Sequence, residues 1–543
     1  MRERRETDEP SQESAHPGTP PTAVADPTSA HRPRTVGSER PGDDANPAGP
    51  QRLPEDTGPT DANRPHDAGG PAAAERSDDG LSPAEGERVP DSGGRPRRTK
   101  AMPGTTETQE AGWGHGGGVS VTSGEQDEGA GDRRLRRQAG VALALLAVVL
   151  VAVAGFSTPW GVLAAGPPDP ARDFTAAQIA RAQAFDAMTS LPSYLALIIT
   201  IVFAVVLVVT PFGAKVLGRL RGPWWLRVIL GVVVISLITE ALKWPLGMWF
   251  ETLLRDYGLS TQNWTTWTAD RLKSLGVEIF LLSLTLLALV ALARKIRRWW
   301  IPAAAGAFAL VVVASFAYPV VFEPLFNDFT SMRQGPLRTN LLAMAARDGV
   351  PVEDVLVADA SRRTTALNAY VSGFGATRRI VVYDTLLRAP QPEVELVVAH
   401  ELGHAKHDDV LYGTLVGGLA SALAAIALFL IFGPVRRRAG VTSITDPRAV
   451  GALLGLTTLG SLLISPAHNL LSRHIEARAD EHSLQITRDP ATFIAMQKRL
   501  AITNISDLSP DAVEYVLYAS HPSSPERIAM ARAWAKLNGV PVP

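Results

Sequence analysis

The chain has 543 residues and a formal net charge of −1 at pH 7, and 46% of its residues are hydrophobic. The net charge is uninformative, because it averages a charged N-terminal tail with a hydrophobic body. The chain contains no cysteine, which excludes disulfide bonds, thiolate metal ligands and a cysteine nucleophile. Any metal site must therefore use histidine and carboxylate side chains.

Residues 1–132 form a predicted disordered tail. This segment is rich in Pro, Gly, Ser, Thr and charged residues and has almost no large apolar side chains. Such a composition cannot bury enough apolar surface to offset the entropy cost of ordering the chain. No apolar run follows the charged start, so we do not expect a signal peptide.

Seven apolar runs follow the tail, each near the roughly 20 residues that a helix needs to cross the hydrocarbon core of a membrane. Buried helices of a large soluble protein are a poor alternative, because too many of the runs lack charged residues. We therefore predict a mainly α fold, with five transmembrane helices in 133–322 and two in 411–471. The runs cover 139–156, 194–212, 224–246, 275–293, 299–322, 411–432 and 450–471.

The basic residues near these runs are unevenly distributed. Clusters at 133–137, 215–221, 294–298 and 436–438 all fall at the same end of the predicted helices. The positive-inside rule places that end in the cytoplasm together with the N-terminal tail. The protein is then a multi-pass protein of the cell membrane, with residues 323–410 on the opposite side.

The third apolar run contains two charged residues, Glu240 and Lys243, three positions apart on one helix face. Charges at that depth are costly and usually face a cavity or each other. One interpretation is a water-filled interior chamber. The other is a charge pair near the helix end, with Lys243 extending towards the interface.

Residues 323–410 have the pattern of a small α+β domain. A helix is predicted over 337–348, and short strands over 355–359, 368–371 and 379–383. The prolines at 390 and 392 then introduce another helix. A small sheet beside that helix suits peptide binding, because an edge strand can pair with an extended substrate.

This second helix carries the sequence VVAHELGHAKHDD, which contains the pattern His-Glu-x-x-His. Positions i and i+4 lie on one helix face, so His400 and His404 can bind a single ion. Glu401 lies beside them, where it can take a proton from a water molecule. The pattern also occurs by chance in solvated polar helices. As a metal site it predicts one Zn²⁺ per chain.

A catalytic zinc ion needs a third protein ligand and an open position for water. In SRHIEARADEHS, which follows the seventh run, Glu476 and Asp480 are four residues apart on one helix face. Glu476 can bind the ion, and Asp480 can accept the ring N–H of a ligand histidine and fix its tautomer. Rival ligands in the same segment are His474, Glu481 and His482.

A further histidine, His521, begins the sequence HPSSPER, a turn that opens the last predicted helix. It can reach over the site and stabilise the oxyanion of a tetrahedral intermediate. The alternative is a surface histidine without a role in catalysis.

Several segments resemble the M48 family of membrane metalloendopeptidases, and within it the Ste24-type CAAX prenyl proteases. They are EPLFNDF, SRRTTALNAYVSGFGATRRIVVYDTLL, HELGH, RHIEARAD and HPSSPERI. The resemblance extends from about Ala139 to the end of the chain and includes the seven predicted spans. It implies a cage of transmembrane helices around an intramembrane chamber, capped by a zinc protease domain that residues 472–543 complete.

The resemblance also implies roles for single residues. His400, His404 and Glu476 are implied as zinc ligands, Glu401 as the general base, and Asp480 as the residue that orients a ligand histidine.

Four further residues match the pattern of the family. His521 and Arg527 are implied to line the active site, and Asn368 and Ala369 to align the main chain of the substrate.

Together these features predict a membrane-integrated zinc metalloendopeptidase that resembles CAAX prenyl proteases. Its expected partners are the lipid bilayer and a peptide or protein substrate, either lipidated or unmodified, and we expect no nucleic acid. The alternatives are a protease of membrane-protein quality control, as in HtpX-type members, and a catalytically inactive membrane scaffold.

Overall fold

A computed structural model describes residues 122–162, 167–373 and 375–542. Most of the predicted disordered tail lies outside these residues. Its last part differs from the prediction, because the first helix begins at Thr122 rather than near residue 133. A helix that is already formed across the membrane adds each further residue without repeating the cost of nucleation.

The described residues form fourteen α-helices, which account for most of the structure. They are α1 (Thr122–Ser157), α2 (Pro170–Asp173), α3 (Ala176–Val209), α4 (Phe212–Leu217), α5 (Trp224–Asp256), α6 (Trp264–Lys295), α7 (Trp300–Ala317), α8 (Pro336–Asp348), α9 (Gln391–Lys406), α10 (Asp409–Arg438), α11 (Val450–Thr487), α12 (Pro490–Asn504), α13 (Ala512–Leu517) and α14 (Ser524–Leu537).

Within the described part of the chain, seven helices are long and apolar enough to cross a membrane, namely α1, α3, α5, α6, α7, α10 and α11. Each contains most or all of one predicted apolar run. Their large apolar side chains are exposed on the outer surface, as at Val148 and Val151 of α1, which are 68% and 71% exposed. Helices suit this environment because they satisfy every backbone polar group internally. The predicted number of membrane helices is confirmed.

Small residues let the membrane helices pack closely. At Gly418 of α10, an added Cβ atom would lie 2.7 Å from the Phe308 ring of α7. A larger residue at position 418 would therefore push the two helices apart, and small residues are the usual solution at such crossings.

The charged residue Glu240 in the middle of α5 has a partner that the sequence did not predict. Arg271 of α6 lies with its Nη2 atom 2.6 Å and its Nε atom 2.8 Å from Glu240 Oε1. Lys243 is farther away, at 3.9 Å from the other carboxylate oxygen. Glu240 is thus paired mainly with Arg271 of the neighbouring helix α6, and only more distantly with Lys243 of its own helix α5.

The small domain contains a four-stranded sheet among the described residues, in the order β1-β2-β4-β3. The central pair β2 and β4 is parallel, and the two outer pairings are antiparallel. The predicted β4 is confirmed at its bounds, β2 and β3 are each shifted by one residue, and β1 was not predicted. The strands are β1 (Phe329–Ser331), β2 (Asp354–Ala358), β3 (Ala369–Ser372) and β4 (Arg379–Tyr383).

Helix α9 lies against this sheet and against α12 and α14, and the apolar residues between them form the core of the protease domain. Val398 and Leu402 of α9 are fully buried there, as are Phe493 of α12 and Ile528 of α14. Burying each such side chain stabilises the fold by about 1.5–3 kcal/mol. The helix that carries the two histidines is therefore held rigidly on several sides.

Helix α11 connects the membrane to this domain. It has 38 residues and is about 57 Å long, whereas the hydrocarbon core is about 30 Å thick. Its C-terminal half therefore extends out of the membrane as one continuous rod. This half carries Glu476 and Asp480, so both residues lie beyond the stretch of α11 that is needed to cross the hydrocarbon core.

Candidate metal centre and active site

The two histidines of α9 point towards a common position. Their Nε2 atoms are 3.2 Å apart. His400 is buried, and the side chain of His404 is only 16% exposed. The spacing of four residues along a helix accounts for the shared direction.

Glu476 of α11 reaches the same position. Its Oε2 atom is 3.2 Å from Nε2 of His400, and its Oε1 atom is 3.6 Å from Nε2 of His404. The close approach of the two helices depends on Gly403 of α9, where an added Cβ atom would lie 3.1 Å from the Ala479 Cα atom. Ligand atoms of His400, His404 and Glu476 thus lie within 4.8 Å of one another.

Each histidine is held from behind by a carboxylate. Asp480 Oδ1 is 2.8 Å from Nδ1 of His400, and Asp409 Oδ2 is 3.0 Å from Nδ1 of His404. A carboxylate can only accept, so each Nδ1 atom donates and each Nε2 atom presents a lone pair. The role of Asp409 was missed from the sequence, although the pair of aspartates directly after the HELGH helix was a usable signal.

This donor set fits a zinc ion. Two imidazoles and a carboxylate direct their ligand atoms towards one position, where a bound cation would attract all three. Ligand atoms around tetrahedral zinc lie about 3.3 Å apart, close to the 3.2, 3.2 and 3.6 Å found here. Nitrogen and oxygen ligands without sulfur are also what a catalytic zinc site uses.

Arg527 of α14 lies behind Asp480 and fixes it. Its Nε atom donates to Asp480 Oδ2 at 2.7 Å, and its Nη2 atom donates to Oδ1. The Nη2 atom is also 3.4 Å from Nδ1 of His400. Asp480 and Arg527, which the sequence predicted separately as site residues, are therefore bonded to each other, and Arg527 acts on Asp480.

The acid–base properties of α9 follow from its surroundings. Burial lowers the pKa of His400, but the hydrogen bonds with Asp480 and Glu476 outweigh it and raise the pKa to about 10. Burial raises the pKa of Glu401, and the neighbouring His404 and His400 offset only part of this effect. Glu401 can therefore hold a proton more readily than an exposed carboxyl group.

A cavity of about 500 Å³ opens beside His400 and Glu401. Val397, Met496 and Leu500 give it an apolar side. A concave, partly apolar pocket beside reactive groups is what a peptide side chain requires. The farther wall consists of residues from the segment before α13 and from α13 itself, among them Asp507, Glu514, Tyr515 and Tyr518.

Of the two predicted substrate-aligning residues, Asn368 lines this cavity, and Ala369 follows it as the first residue of β3. Tyr383 N–H donates to the Asn368 carbonyl at 3.0 Å. In an antiparallel pair of strands, successive residues point their N–H and C=O groups alternately towards and away from the partner strand. The N–H and C=O of Ala369 therefore face away from β4, towards the outer edge of β3. Asn368 is exposed, whereas Ala369 is only 2% exposed. The N–H of Ala369 already donates to Asn368 Oδ1 at 2.9 Å. Pairing at this edge therefore requires the Asn368 side chain to move.

His521 lies on the open side of the three converging residues. Its side chain is 56% exposed, and its Nε2 atom is 3.3 Å from Glu476 Oε2. The segment before it is anchored on α11, because Arg473 donates to the carbonyls of Tyr515 and Ala519 at 3.0 and 2.6 Å. The structure thus brings His521 into the site that the sequence assigned to it.

The three rival ligands have other partners. The ring of His474 packs against Trp160, with centroids 4.8 Å apart. His482 pairs with Asp348 at 3.0 Å. Glu481 accepts a hydrogen bond from an exposed glutamine of the same helix.

The chain matches two protein-family models over adjoining segments. Residues 331–535 match peptidase family M48, and residues 168–328 match the CAAX prenyl protease N-terminal region of five membrane helices.

Curated relatives and a solved structure agree with these matches. The chain is 30% identical over 316 residues to the uncharacterized metalloprotease YhfN of Bacillus subtilis, covering 56% of this chain and 74% of that protein. It is 32% identical over 233 residues to a CAAX prenyl protease 1 homolog of Oryza sativa subsp. japonica, covering 41% of this chain and 53% of that protein.

The crystal structure of Ste24p from S. mikatae shares the fold, with a TM-score of 0.58 and 20% sequence identity over 73% of this chain and 97% of that chain. Together with the converging histidines and glutamate, these likenesses identify the chain as a multi-pass membrane metalloendopeptidase. It belongs to peptidase family M48, with an M48 peptidase domain that follows a CAAX prenyl protease N-terminal domain.

Proposed function

We propose that this protein uses one Zn²⁺, held by His400, His404 and Glu476, to hydrolyse peptide bonds in membrane-associated or lipidated substrates. The observation that carries the proposal is the convergence of three ligand atoms within 4.8 Å, with carboxylates fixing both histidines from behind. Family membership supplies the general chemistry, and these contacts support the assignment to named residues.

The ion, when bound, would activate a water molecule and polarise the scissile carbonyl group. Glu401 lines the cavity next to His400 and serves as the general base that takes the proton of the attacking water. Because burial raises its pKa, Glu401 can keep this proton until the leaving amine needs it. Glu401 then donates it and returns to the carboxylate form.

Three further residues support the reaction. Asp480 and Asp409 keep His400 and His404 in the tautomer that presents Nε2. His521, on the open side of the site and 3.3 Å from Glu476, is placed to donate a hydrogen bond to the developing oxyanion.

The substrate main chain pairs with the outer edge of β3 in this proposal. The N–H and C=O of Ala369 would bond the substrate main chain there. The Asn368 side chain, which now accepts from the Ala369 N–H, would move aside and bond the substrate instead. Addition of a strand to a sheet edge binds main chain without regard to sequence, and the neighbouring cavity then selects side chains.

Lipidated substrates are supported by two observations. Residues of the site lie on α11 just beyond the stretch that crosses the membrane, and the relatives from plants and fungi carry the name CAAX prenyl protease. The test compares cleavage of matched peptides with and without a prenyl group by the purified protein. Faster cleavage of the prenylated peptide is expected. Equal rates would instead indicate a protease for unmodified membrane proteins.

The proposed location is a cell membrane, with the N-terminal tail in the cytoplasm. The basic clusters near α1, α4, the end of α6 and the end of α10 share one end of the membrane helices, opposite to the sheet and α9. The positive-inside rule then puts the metal centre on the outer side.

A further inference from the structure

Gln497 of α12 is a buried polar residue directly behind the metal centre. It is 0% exposed, and its neighbours Phe493, Ile494 and Met496 on the same helix are buried apolar residues. A primary amide in such surroundings needs a hydrogen-bond partner. The partner available to Gln497 is the guanidinium group of Arg527.

The contact has one chemically consistent orientation. The Arg527 guanidinium carries only donors, so the amide must turn its oxygen towards it. In this orientation Gln497 Oε1 lies 3.2 Å from both Nε and Nη2 of Arg527. These are the same two nitrogens that donate to the Asp480 carboxylate.

The four groups form a continuous chain of contacts. Gln497 accepts from Arg527, Arg527 donates to Asp480, and Asp480 accepts from Nδ1 of His400 at 2.8 Å. Without Gln497, the guanidinium has freedom to turn towards the adjacent cavity, which both residues line.

We infer that Gln497 is a positioning residue of the metal centre, which acts through Arg527 and Asp480 to hold the imidazole of His400 in its metal-binding orientation. The inference rests on the proposed function, since it takes His400 as a zinc ligand. The hydrogen bonds of Gln497 go to Arg527 and not to the three proposed ligands, so we expect its effect to pass through Arg527. A positioning effect of Gln497 requires Arg527, whereas an effect on packing alone does not.

The test measures zinc release from the purified full-length protein into a chromogenic chelator, alongside kcat and KM for peptide cleavage. Gln497→Met keeps the length of the side chain and removes the acceptor. We expect zinc release to become about threefold to tenfold faster, less than the roughly 10- to 100-fold typical of a group that touches a ligand directly. We also expect kcat to fall by a similar factor while KM stays near its original value.

Three comparisons make the result specific. Gln497→Glu retains an acceptor oxygen towards Arg527 and is expected to release zinc no faster than the unmodified protein. In an Arg527→Met background, Gln497→Met is expected to change zinc release by less than about twofold, because coupled residues are not additive. Gln485→Met makes the same chemical change at an exposed glutamine of α11 and should leave zinc release unchanged.

Three results would overturn the inference. They are unchanged zinc release in Gln497→Met, equally fast release in Gln497→Glu, and the same acceleration in the Arg527→Met background. If the unmodified protein binds no zinc, the proposed function fails and this inference with it. If the unmodified protein binds zinc and only the variants behave otherwise than expected, the proposed function stands and the inference alone is wrong.

Discussion

Asp409, the first residue of α10, lies 3.0 Å from Nδ1 of His404, near the end of α9. Arg478 of α11 donates to the other oxygen of the same carboxylate. Asp409 therefore connects three helices at the metal centre, and it orients His404 as Asp480 orients His400.

The first prediction concerns this carboxylate. Asp409→Asn keeps the shape of the side chain but weakens the acceptor for His404, so we expect about 10- to 100-fold weaker zinc binding. Competition with a chelator of known affinity measures the change. Asp408→Asn is the matched control, because that neighbouring carboxylate pairs with Arg378 and its side chain is 51% exposed. Equal affinities of the two variants would contradict the role of Asp409.

The second prediction separates metal binding from proton transfer. Glu401→Gln removes the base without removing a proposed ligand, so peptide cleavage should fall by about 10²–10⁴-fold, while zinc content stays at one ion per chain. Metal analysis and cleavage assays on the same preparation test this. Glu395→Gln is the control and should cleave normally, because Glu395 is a half-buried residue of the same helix that bonds Asn340. Full activity in Glu401→Gln would exclude it as the base.

The third prediction is a pH dependence. The hydrogen bonds with Asp480 and Glu476 raise the pKa of His400 to about 10 against the opposing effect of burial. Below that pH the ring binds a proton that zinc must displace, so zinc affinity should fall as the pH falls, by about tenfold per pH unit for one proton. Chelator competition at several values between about pH 6 and pH 8, all of them well below this pKa, measures the slope. A flat profile would show that no proton is released from this site.

The fourth prediction concerns the contact between α9 and α11. Gly403→Ala would place a Cβ atom 3.1 Å from the Ala479 Cα atom and 3.2 Å from the His482 Cβ atom. Overpacking of this kind costs about 1–3 kcal/mol, so the unfolding temperature should fall, and separation of His400 from Glu476 should weaken zinc binding. Gly413→Ala is the control on α10, where an added Cβ atom meets nothing within 4 Å. Indistinguishable variants would show that α9 and α11 can separate without cost.

The fifth prediction concerns membrane orientation. The chain has no cysteine, so a single introduced cysteine is a unique label site. In intact cells, a membrane-impermeant maleimide should label Ser509→Cys, which lies beside the cavity, and should not label Arg437→Cys at the basic end of α10. The reverse pattern would place the metal centre in the cytoplasm.

The sequence predicted the parts of this protein that depend on local order. The membrane helices follow from apolar runs of sufficient length. The shared direction of His400 and His404, and of Glu476 and Asp480, follows from helical periodicity. Strand β4 was predicted at its bounds because a short β-branched run between turns is a local pattern.

Only the tertiary structure decided which residues meet across the chain. It brings Gln497 to Arg527, Arg478 to Asp409 and Arg271 to Glu240. The helix repeat fixes the direction of a side chain relative to its own axis but not which other helix lies opposite. That choice depends on packing, such as the close contact that Gly403 permits between α9 and α11. The two histidines were therefore readable from the sequence, whereas most of the residues that hold them in place required the fold.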